Sequence, residues 1–178
     1  DMIGQSAGGV LSITGEPDGK PCKPGVTLAD TGTGMLMAIT ILGALYRQQA
    51  TGEGEHLQLA MQDAMTQYSR LAYAYRDLNG KAAPRAGAKL FTTGNAPTGI
   101  FPCKPFGKND YVYIYTTRAG NHHWERLCNL LGRKDLINDP RFVGQKERAD
   151  NEEALDAILA EFTKQYTKRE AMKLIGEC

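Results

Sequence analysis

The sequence predicts a chain of mixed structure, an α/β segment followed by an α+β segment. In the first segment, helix-like apolar patterns lie on both sides of a short strand-like run at residues 56–60. A stretch rich in glycine and proline, residues 79–99, then interrupts the periodic pattern. Beyond it, two runs of alternating apolar residues precede a series of helical patterns.

The composition is that of a globular protein, with 42% hydrophobic and 23% charged residues among 178, enough chain for one or two domains. Lysine and arginine (21) nearly balance aspartate and glutamate (20), so the charge gives no reason to expect nucleic acid or an anionic membrane as a partner. The most apolar stretch, residues 35–46, is well short of the ~20 residues that span a bilayer. We therefore expect no membrane span.

The cysteines indicate a reducing environment. Cys22, Cys103, Cys128 and Cys178 are scattered and form no metal-binding or redox pair. The sequence also contains nothing that resembles a secretory signal. These observations predict free thiols, no metal site and a cytoplasmic location.

The first segment opens with a helical pattern at residues 2–13, whose glycines predict close packing against another backbone. Residues 15–25 contain three prolines and three glycines, which a helix or a central strand cannot tolerate. We therefore expect a surface loop there.

A second helix follows, with Asp30 placed as its N-cap and Gly52 as its end. Because residues 35–46 are apolar nearly all round, this helix should be buried on most faces. The strand at 56–60 and a helix at 62–78 complete the predicted segment.

Residues 79–99 contain four glycines and two prolines, and they are the best candidate for a domain boundary or a functional loop. Strands are predicted at 100–104 and 111–116. In the second strand, three tyrosines alternate with Val112 and Ile114, which indicates one partly wet aromatic face and one covered face. Helical patterns follow at 121–131, at 151–166 and from 168 onward.

Few residues offer acid–base chemistry. The three histidines are His56, His122 and His123, and the adjacent pair opens a predicted helix. Neighbouring residues point to different faces of a helix, which argues against a shared metal site.

Asp30 is the carboxylate of greatest interest, because Gly32 and Gly34 follow it at the start of the second helix. Free backbone amides favour negative charge there, and an approaching ligand meets little side-chain bulk. The same position suits an ordinary helix cap, and the local pattern leaves both interpretations open.

Several runs of the sequence closely resemble the class III CoA-transferases, the CaiB/BaiF family that includes formyl-CoA transferase. The resemblance covers essentially the whole chain in order, and the joint match is far more specific than any single run. The runs are QSAGGVLSITGEPDGKPCKPG, VTLADTGTGM, ILGALYRQQATGEGEHLQLAMQDA, TTGNAPTGIFPCK, DYVYIY, HWERLCNLLGR and DPRF.

The resemblance implies that residues 1–70 are the central part of a Rossmann-like large domain with its catalytic helix. Residues 71–98 would be a linker with a glycine loop, and residues 99–178 a small α+β domain. Family members are considerably longer and form interlocked homodimers, so we expect an internal segment of such a homodimer. The portion that supplies most CoA contacts lies outside this sequence, which predicts weak or no turnover by the chain alone.

By resemblance, Asp30 matches the catalytic aspartate, which attacks the thioester of an acyl-CoA and then passes CoA to a carboxylic acid. The CoA thioester is a substrate, and no tightly bound cofactor is implied. Gly94 and Asn95 match a glycine-rich loop that folds over the active site, although the family's run of consecutive glycines is only partly kept here. Met61 matches a position near the substrate, and a core methionine at the end of a strand is the alternative.

Two other functions stay open. A non-catalytic assembly module would associate through apolar surface that the absent parts otherwise cover. An acyl-CoA racemase of the same superfamily would need an acid–base pair beside the acyl α-carbon. The sequence does not identify the donor or the acceptor acid.

Overall fold

The computed structural model describes residues 1–92, 95–116 and 120–178. The chain is of mixed α and β structure, as predicted, and is mostly helical with a small antiparallel sheet. The elements are α1 (Met2–Ala7), α2 (Leu28–Thr51), α3 (Met61–Tyr68), α4 (Arg70–Asn79), β1 (Thr98–Pro102), β2 (Tyr111–Tyr115), α5 (His122–Leu130), α6 (Gln145–Asp150), α7 (Glu152–Thr163) and α8 (Lys168–Glu177), with short 3₁₀ turns at Leu11–Ile13 and Lys134–Ile137. The residues form two compact units, Asp1–Gly87 and Ala88–Cys178.

The first unit packs α1 and α2 against α3 around a small core of Val10, Ala29, Ala64 and Met65. The glycines of α1 make this packing possible. A Cβ atom added to Gly8 would lie only 2.2 Å from the Cβ of Met65, a distance that no side chain tolerates. The predicted close packing of these glycines is therefore confirmed.

Three predicted elements of the first unit differ in the structure. The helix at 2–13 ends at Ala7 and gives way to a turn. No strand forms at 56–60, because no segment among the described residues supplies a hydrogen-bonded partner for it. The helix at 62–78 is two helices, separated at Ser69.

The prediction that the long helix α2 is buried on most faces is wrong. Only Ala29, Gly32 and Thr33, all in its first turns, are buried, and Ile39, Leu42 and Tyr46 are 65%, 66% and 79% exposed. The helix has 24 residues, and by length and composition alone it could cross a membrane. The expectation that its apolar stretch falls well short of a membrane span is therefore wrong, although the core helix of a soluble protein passes the same test.

The predicted surface loop at 15–25 is confirmed, and Arg85 fastens it. The guanidinium of Arg85 donates to the carbonyl oxygens of Ser12 (3.3 Å), Glu16 (3.3 Å) and Gly19 (2.7 Å). These bonds replace the internal hydrogen bonds that a loop rich in proline cannot make.

In the second unit, β1 and β2 pair antiparallel, with Ile100 opposite Tyr113. Val112 and Ile114 point into the core, and the three tyrosines of β2 are about half exposed, as the alternation predicts. The core lies between this hairpin and the helices. Its buried residues are Ala96, Phe101, Cys103, Val112, Ile114, Trp124, Leu127, Cys128, Leu136, Phe142, Leu155, Leu159 and Ala171.

Candidate active site

The site begins at the first turn of α2. Thr27 is the N-cap of this helix, and Asp30 is the third residue of the helix itself. The prediction that Asp30 caps the helix is therefore wrong. The carboxylate of Asp1 takes that part, because its Oδ1 accepts the Ala29 N–H at 2.9 Å. The Asp30 side chain therefore does not cap the helix, and it is 53% exposed.

A buried amide orients the capping carboxylate. Gln5 is fully buried in α1, and its Nε2 donates to both carboxylate oxygens of Asp1 at 2.8 Å. The positive end of the α2 dipole also favours negative charge at the start of this helix.

The sequence analysis missed Asp1 and Gln5. Asp1 and Ala29 are 28 residues apart, so no local spacing reveals their contact. The burial of Gln5 likewise follows from the packing of α1 and has no local signal in the sequence.

Two glycines shape the space around Asp30. Gly32 faces α3, where an added Cβ would lie 2.7 Å from the ring of Tyr68. Gly34 lies one turn after Asp30 on the same helix face, and an added Cβ there would meet nothing within 4 Å. The carboxylate of Asp30 therefore has open space beside it, into which a ligand can approach.

The structure places Met61 in the same unit as Asp30. Met61 is the first residue of α3 and is 43% exposed, so it is neither in the core nor at the end of a strand. Its Cβ lies 3.1 Å from the position that a Cβ on Gly4 would occupy, which shows that it packs on α1. A role for Met61 near a substrate stays a prediction.

The other two predicted site residues, Gly94 and Asn95, come later in the sequence than the first unit. Asn95 lies in the second unit, where its Nδ2 donates to the hydroxyl of Tyr115 at 2.8 Å. Gly94 lies outside the described residues.

Other chemical groups are accounted for by structure. His122 and His123 open α5, as predicted. The four cysteines are free thiols, and burial raises the pKa of Cys128 to about 12, which makes it unreactive at neutral pH. Within residues 1–92, 95–116 and 120–178, no group of three or more His, Cys, Asp or Glu side chains is placed to hold a metal ion.

Comparison with known proteins decides the family. A family model described as CoA-transferase family III matches residues 1–178. The chain belongs to CoA-transferase family III. The resemblance seen in its sequence runs is thereby confirmed.

Relatives within CoA-transferase family III include a formyl-CoA:oxalate CoA-transferase from Streptomyces coelicolor, 30% identical over 190 aligned positions that cover 99% of this chain and 45% of the relative. A succinyl-CoA:mesaconate CoA-transferase from Haloarcula marismortui is 35% identical over 164 positions, covering 92% of this chain and 39% of the relative. A crystal structure of a CaiB/BaiF family protein from Brucella suis matches with a TM-score of 0.80 and 30% identity, covering 99% of this chain and 45% of that one. The chain therefore spans less than half the length of these CoA-transferase family III members.

Proposed function

We propose that Asp30 is the nucleophile of a CoA transfer from an acyl-CoA to a carboxylic acid. The observation that carries the proposal is the exposed Asp30 carboxylate in the first turn of α2, with open space at Gly34, in a chain of CoA-transferase family III. The contact of Asp1 with Ala29 supports it, because it holds this turn in place without covering the Asp30 carboxylate.

The reaction proceeds by exchange at the Asp30 carboxyl group. A carboxylate oxygen attacks the donor thioester, the C–S bond breaks, and a mixed anhydride and CoA thiolate form. The thiolate attacks the aspartyl carbonyl, releases the donor carboxylate and leaves an aspartyl-CoA thioester. The acceptor carboxylate attacks that carbonyl and expels the thiolate, which then takes the acceptor's acyl group from the second anhydride. Asp30 is regenerated, and CoA thioester is a substrate rather than a bound cofactor.

The environment suits these intermediates. Backbone amides at the start of α2 can stabilise the negative charge that develops on the attacked carbonyl oxygen. Anhydride and thioester both hydrolyse, so the reaction needs water to be excluded. The loop containing Gly94 and Asn95 would supply that cover, and Met61 would lie close to the acyl group.

The whole enzyme would extend well beyond this chain. Residues 1–70 would be the central part of a Rossmann-like large domain, 71–98 a linker with the glycine loop, and 99–178 a small α+β domain. The protein would act as a cytoplasmic homodimer. Because the chain spans less than half the length of its relatives, we expect weak or no turnover from it alone, and the test therefore looks for a single acylation of Asp30 at a high donor concentration rather than for turnover.

The test is a search for a covalent adduct on Asp30. The chain is incubated with formyl-CoA and with succinyl-CoA, the donors suggested by the relatives' names, and is then digested and mapped by mass spectrometry. We expect a hydroxylamine-sensitive adduct on Asp30 that disappears in Asp30→Asn. An adduct that survives Asp30→Asn, or an unmodified Asp30 with both donors, would contradict the proposal.

A second candidate function is a non-catalytic assembly module, favoured by the exposed apolar face of α2. Ile39, Leu42 and Tyr46 are each more than half exposed on this helix. Contiguous apolar surface of this kind marks an interaction site. This candidate predicts self-association or partner binding without affinity for acyl-CoA, and a calorimetric titration with succinyl-CoA separates the two.

A further inference from the structure

Arg148, on α6, is a charged side chain buried in the second unit, only 3% exposed. Its Nε donates to the carbonyl of Ala96 at 3.1 Å, and its Nη1 donates to the carbonyl of Phe142 at 2.8 Å. Its Nη2 donates to Oδ1 of Asn121 at 3.2 Å. The guanidinium also lies over Trp124, 5.2 Å from the ring centroid. One side chain therefore joins three separate stretches of chain.

The acceptors of Arg148 are unusual because all three are neutral. Among the described residues, no carboxylate lies within 4 Å of this guanidinium, and burial lowers the pKa of Arg148. Burying a cation without a carboxylate partner is costly, and apolar side chains of similar volume often stabilise a core as well or better. The fixed fork of the guanidinium provides what an apolar residue cannot, a rigid geometry between its acceptors.

One of these acceptors belongs to the segment that follows Gly94. The carbonyl of Asn95 accepts from the hydroxyl of Thr98, and the carbonyl of Pro97 accepts from the hydroxyl of Thr116 at 3.0 Å. Arg148 bonds the carbonyl between them, that of Ala96. Three consecutive carbonyls are thus hydrogen-bonded within the second unit, and the charged guanidinium of Arg148 holds the middle one.

We propose that Arg148 is a positioning residue that fixes the base of the loop containing Gly94 and Asn95. The proposal rests on the proposed function, in which this loop covers the intermediates formed on Asp30. Because Ala96 directly follows Asn95, the bond to its carbonyl holds the chain at the C-terminal end of this loop. Loss of the bond should loosen the cover and let water reach the intermediates.

The first test measures the loop itself. Amide hydrogen exchange of residues 95, 96, 98 and 99 is compared in the wild-type chain, in Arg148→Lys, which keeps the charge but loses the planar guanidinium, and in Arg148→Met. Arg133→Lys is the matched control, because Arg133 is half exposed and pairs with Asp135. We expect exchange about tenfold faster in both Arg148 variants and unchanged in the control. Unchanged exchange at 95–99, or an equal rise throughout β2 and α7, would overturn the proposal.

A measurement on the wild type keeps the test decisive if the variants do not fold. In a chain labelled with ¹⁵N and ¹³C, the Nε–H of Arg148 should exchange with water at least tenfold more slowly than those of Arg133 and Arg141. It should also show a coupling across the hydrogen bond to the carbonyl carbon of Ala96. Equal exchange of the three arginines and no such coupling would refute the contact.

The second test separates this proposal from the proposed function. The lifetime of the hydroxylamine-sensitive adduct on Asp30 is measured in the wild type, in Arg148→Lys and in Leu136→Ala, which loosens the same core where no loop contact is made. We expect about tenfold faster hydrolysis in Arg148→Lys only. If the wild type forms no adduct, the proposed function fails. If the adduct forms and its lifetime is equal in the wild type and Arg148→Lys, the positioning role of Arg148 fails.

Discussion

At the residue scale, the contacts of Gln5 show how a buried polar side chain acts at a distance. Its amide group makes no contact with Asp30, but it orients the carboxylate of Asp1, which in turn accepts the Ala29 N–H. The arrangement requires a donor on Gln5, since Asp1 presents only acceptor oxygens when it is ionised. Replacing the side-chain nitrogen of Gln5 with an oxygen, as in Gln5→Glu, should therefore disturb the start of α2.

We expect Gln5→Glu to lower the free energy of unfolding of the first unit by about 1–3 kcal/mol at pH 7, the usual cost of a buried group that loses its partner. The introduced carboxyl group would lie against the carboxylate of Asp1. Burial beside the carboxylate of Asp1 raises the folded-state pKa of the introduced group above its unfolded value of about 4.3. The loss should therefore shrink as the pH falls from 7 towards about 4, because protonation makes that group a donor again. Thermal unfolding followed by circular dichroism measures it.

Gln62→Glu is the control, because Gln62 is exposed on α3. A surface change of this kind is expected to stay within about 0.5 kcal/mol. Equal stability of Gln5→Glu and the wild type at pH 7 would show that the amide does not hold Asp1.

A second prediction concerns Asp110, in the turn between β1 and β2. Its Oδ1 lies 3.1 Å from Nζ of Lys168, and its Oδ2 accepts the Gly107 N–H at 2.9 Å. The hydrogen bond from Lys168, followed by that from Gly107, holds the pKa of Asp110 below its usual range. A lowered pKa in the folded state means that the ionised carboxylate stabilises the fold above the unfolded pKa of about 4. This contribution is lost as the pH falls through the lower folded pKa.

Asp110→Asn should therefore lower the melting temperature of the second unit at pH 7, and the difference from the wild type should disappear as the pH falls below about 4. The fluorescence of Trp124 is the measurement, because this residue is the single tryptophan and is buried in that unit. Glu161→Gln, a change of an exposed carboxylate on α7, serves as the control. A difference that persists unchanged to pH 3 would contradict the prediction.

At the element scale, two glycines of α2 have the same open surroundings but differ in their distance from Asp30. Gly34 and Gly43 both lie within the helix, and an added Cβ meets nothing within 4 Å at either position. Glycine inside a helix costs about 0.5–1 kcal/mol relative to alanine. Only Gly34 is one turn from Asp30 on the same face.

Both Gly34→Ala and Gly43→Ala should therefore stabilise the helix by about 0.5–1 kcal/mol. Only Gly34→Ala should slow the formation of the Asp30 adduct, since its methyl group occupies the space beside the carboxylate. Circular dichroism measures the first effect and mass spectrometry the second, and Gly43→Ala is the matched control. Equal adduct formation in the two variants would show that the space at Gly34 is not used.

The elements also show which structure could be predicted from the sequence. The hairpin of β1 and β2 was predicted because alternation and turn residues are local signals, and its partner lies close in the chain. The strand at 56–60 was predicted wrongly, since a strand exists only with a partner, and none is present among the described residues. The prediction that α2 is buried on most faces was wrong for the same reason. Burial depends on the segments that cover a helix rather than on the sequence of the helix itself.

The residues of the candidate site also differ in whether local sequence signals could predict them. Asp30 was found through the resemblance of several sequence runs, whereas its position inside the helix was not, because the boundary at Thr27 depends on backbone conformation. Asp1 and Gln5 escaped notice because their contacts join residues far apart in the chain. Arg148 gave no local signal, since its burial follows from the packing of three separate stretches.

At the scale of the whole molecule, the two units are unequal in their cores. Among the residues that the structure describes, the core of the second unit contains 13 buried residues, whereas that of the first contains four. The first unit also contains the exposed face of α2, formed by Met35, Ile39, Leu42 and Tyr46. The chain should therefore associate through this face when it is expressed alone.

We expect self-association that is detectable by sedimentation velocity and that weakens about tenfold in the double variant Ile39→Lys with Leu42→Glu. Replacement of Ile3 and Leu78 by the same two residues is the control, because both are about 85% exposed and lie outside α2. A monomeric wild-type chain, or equal weakening in the two double variants, would contradict this expectation.

The bonds of Arg85 have a consequence for synthesis on the ribosome. The carbonyls that this side chain fastens, those of Ser12, Glu16 and Gly19, precede it by 73, 69 and 66 residues. At a translation rate of about 5–20 residues per second, the loop is made roughly 3–15 s before the residue that holds it. From the synthesis of residue 51 until that of Arg85, α2 is complete but the loop that precedes it is not yet held by Arg85. At this stage the nascent protein exposes a long apolar helix, and the loop before that helix is not yet held in place. A chaperone that binds apolar segments would then find its largest target.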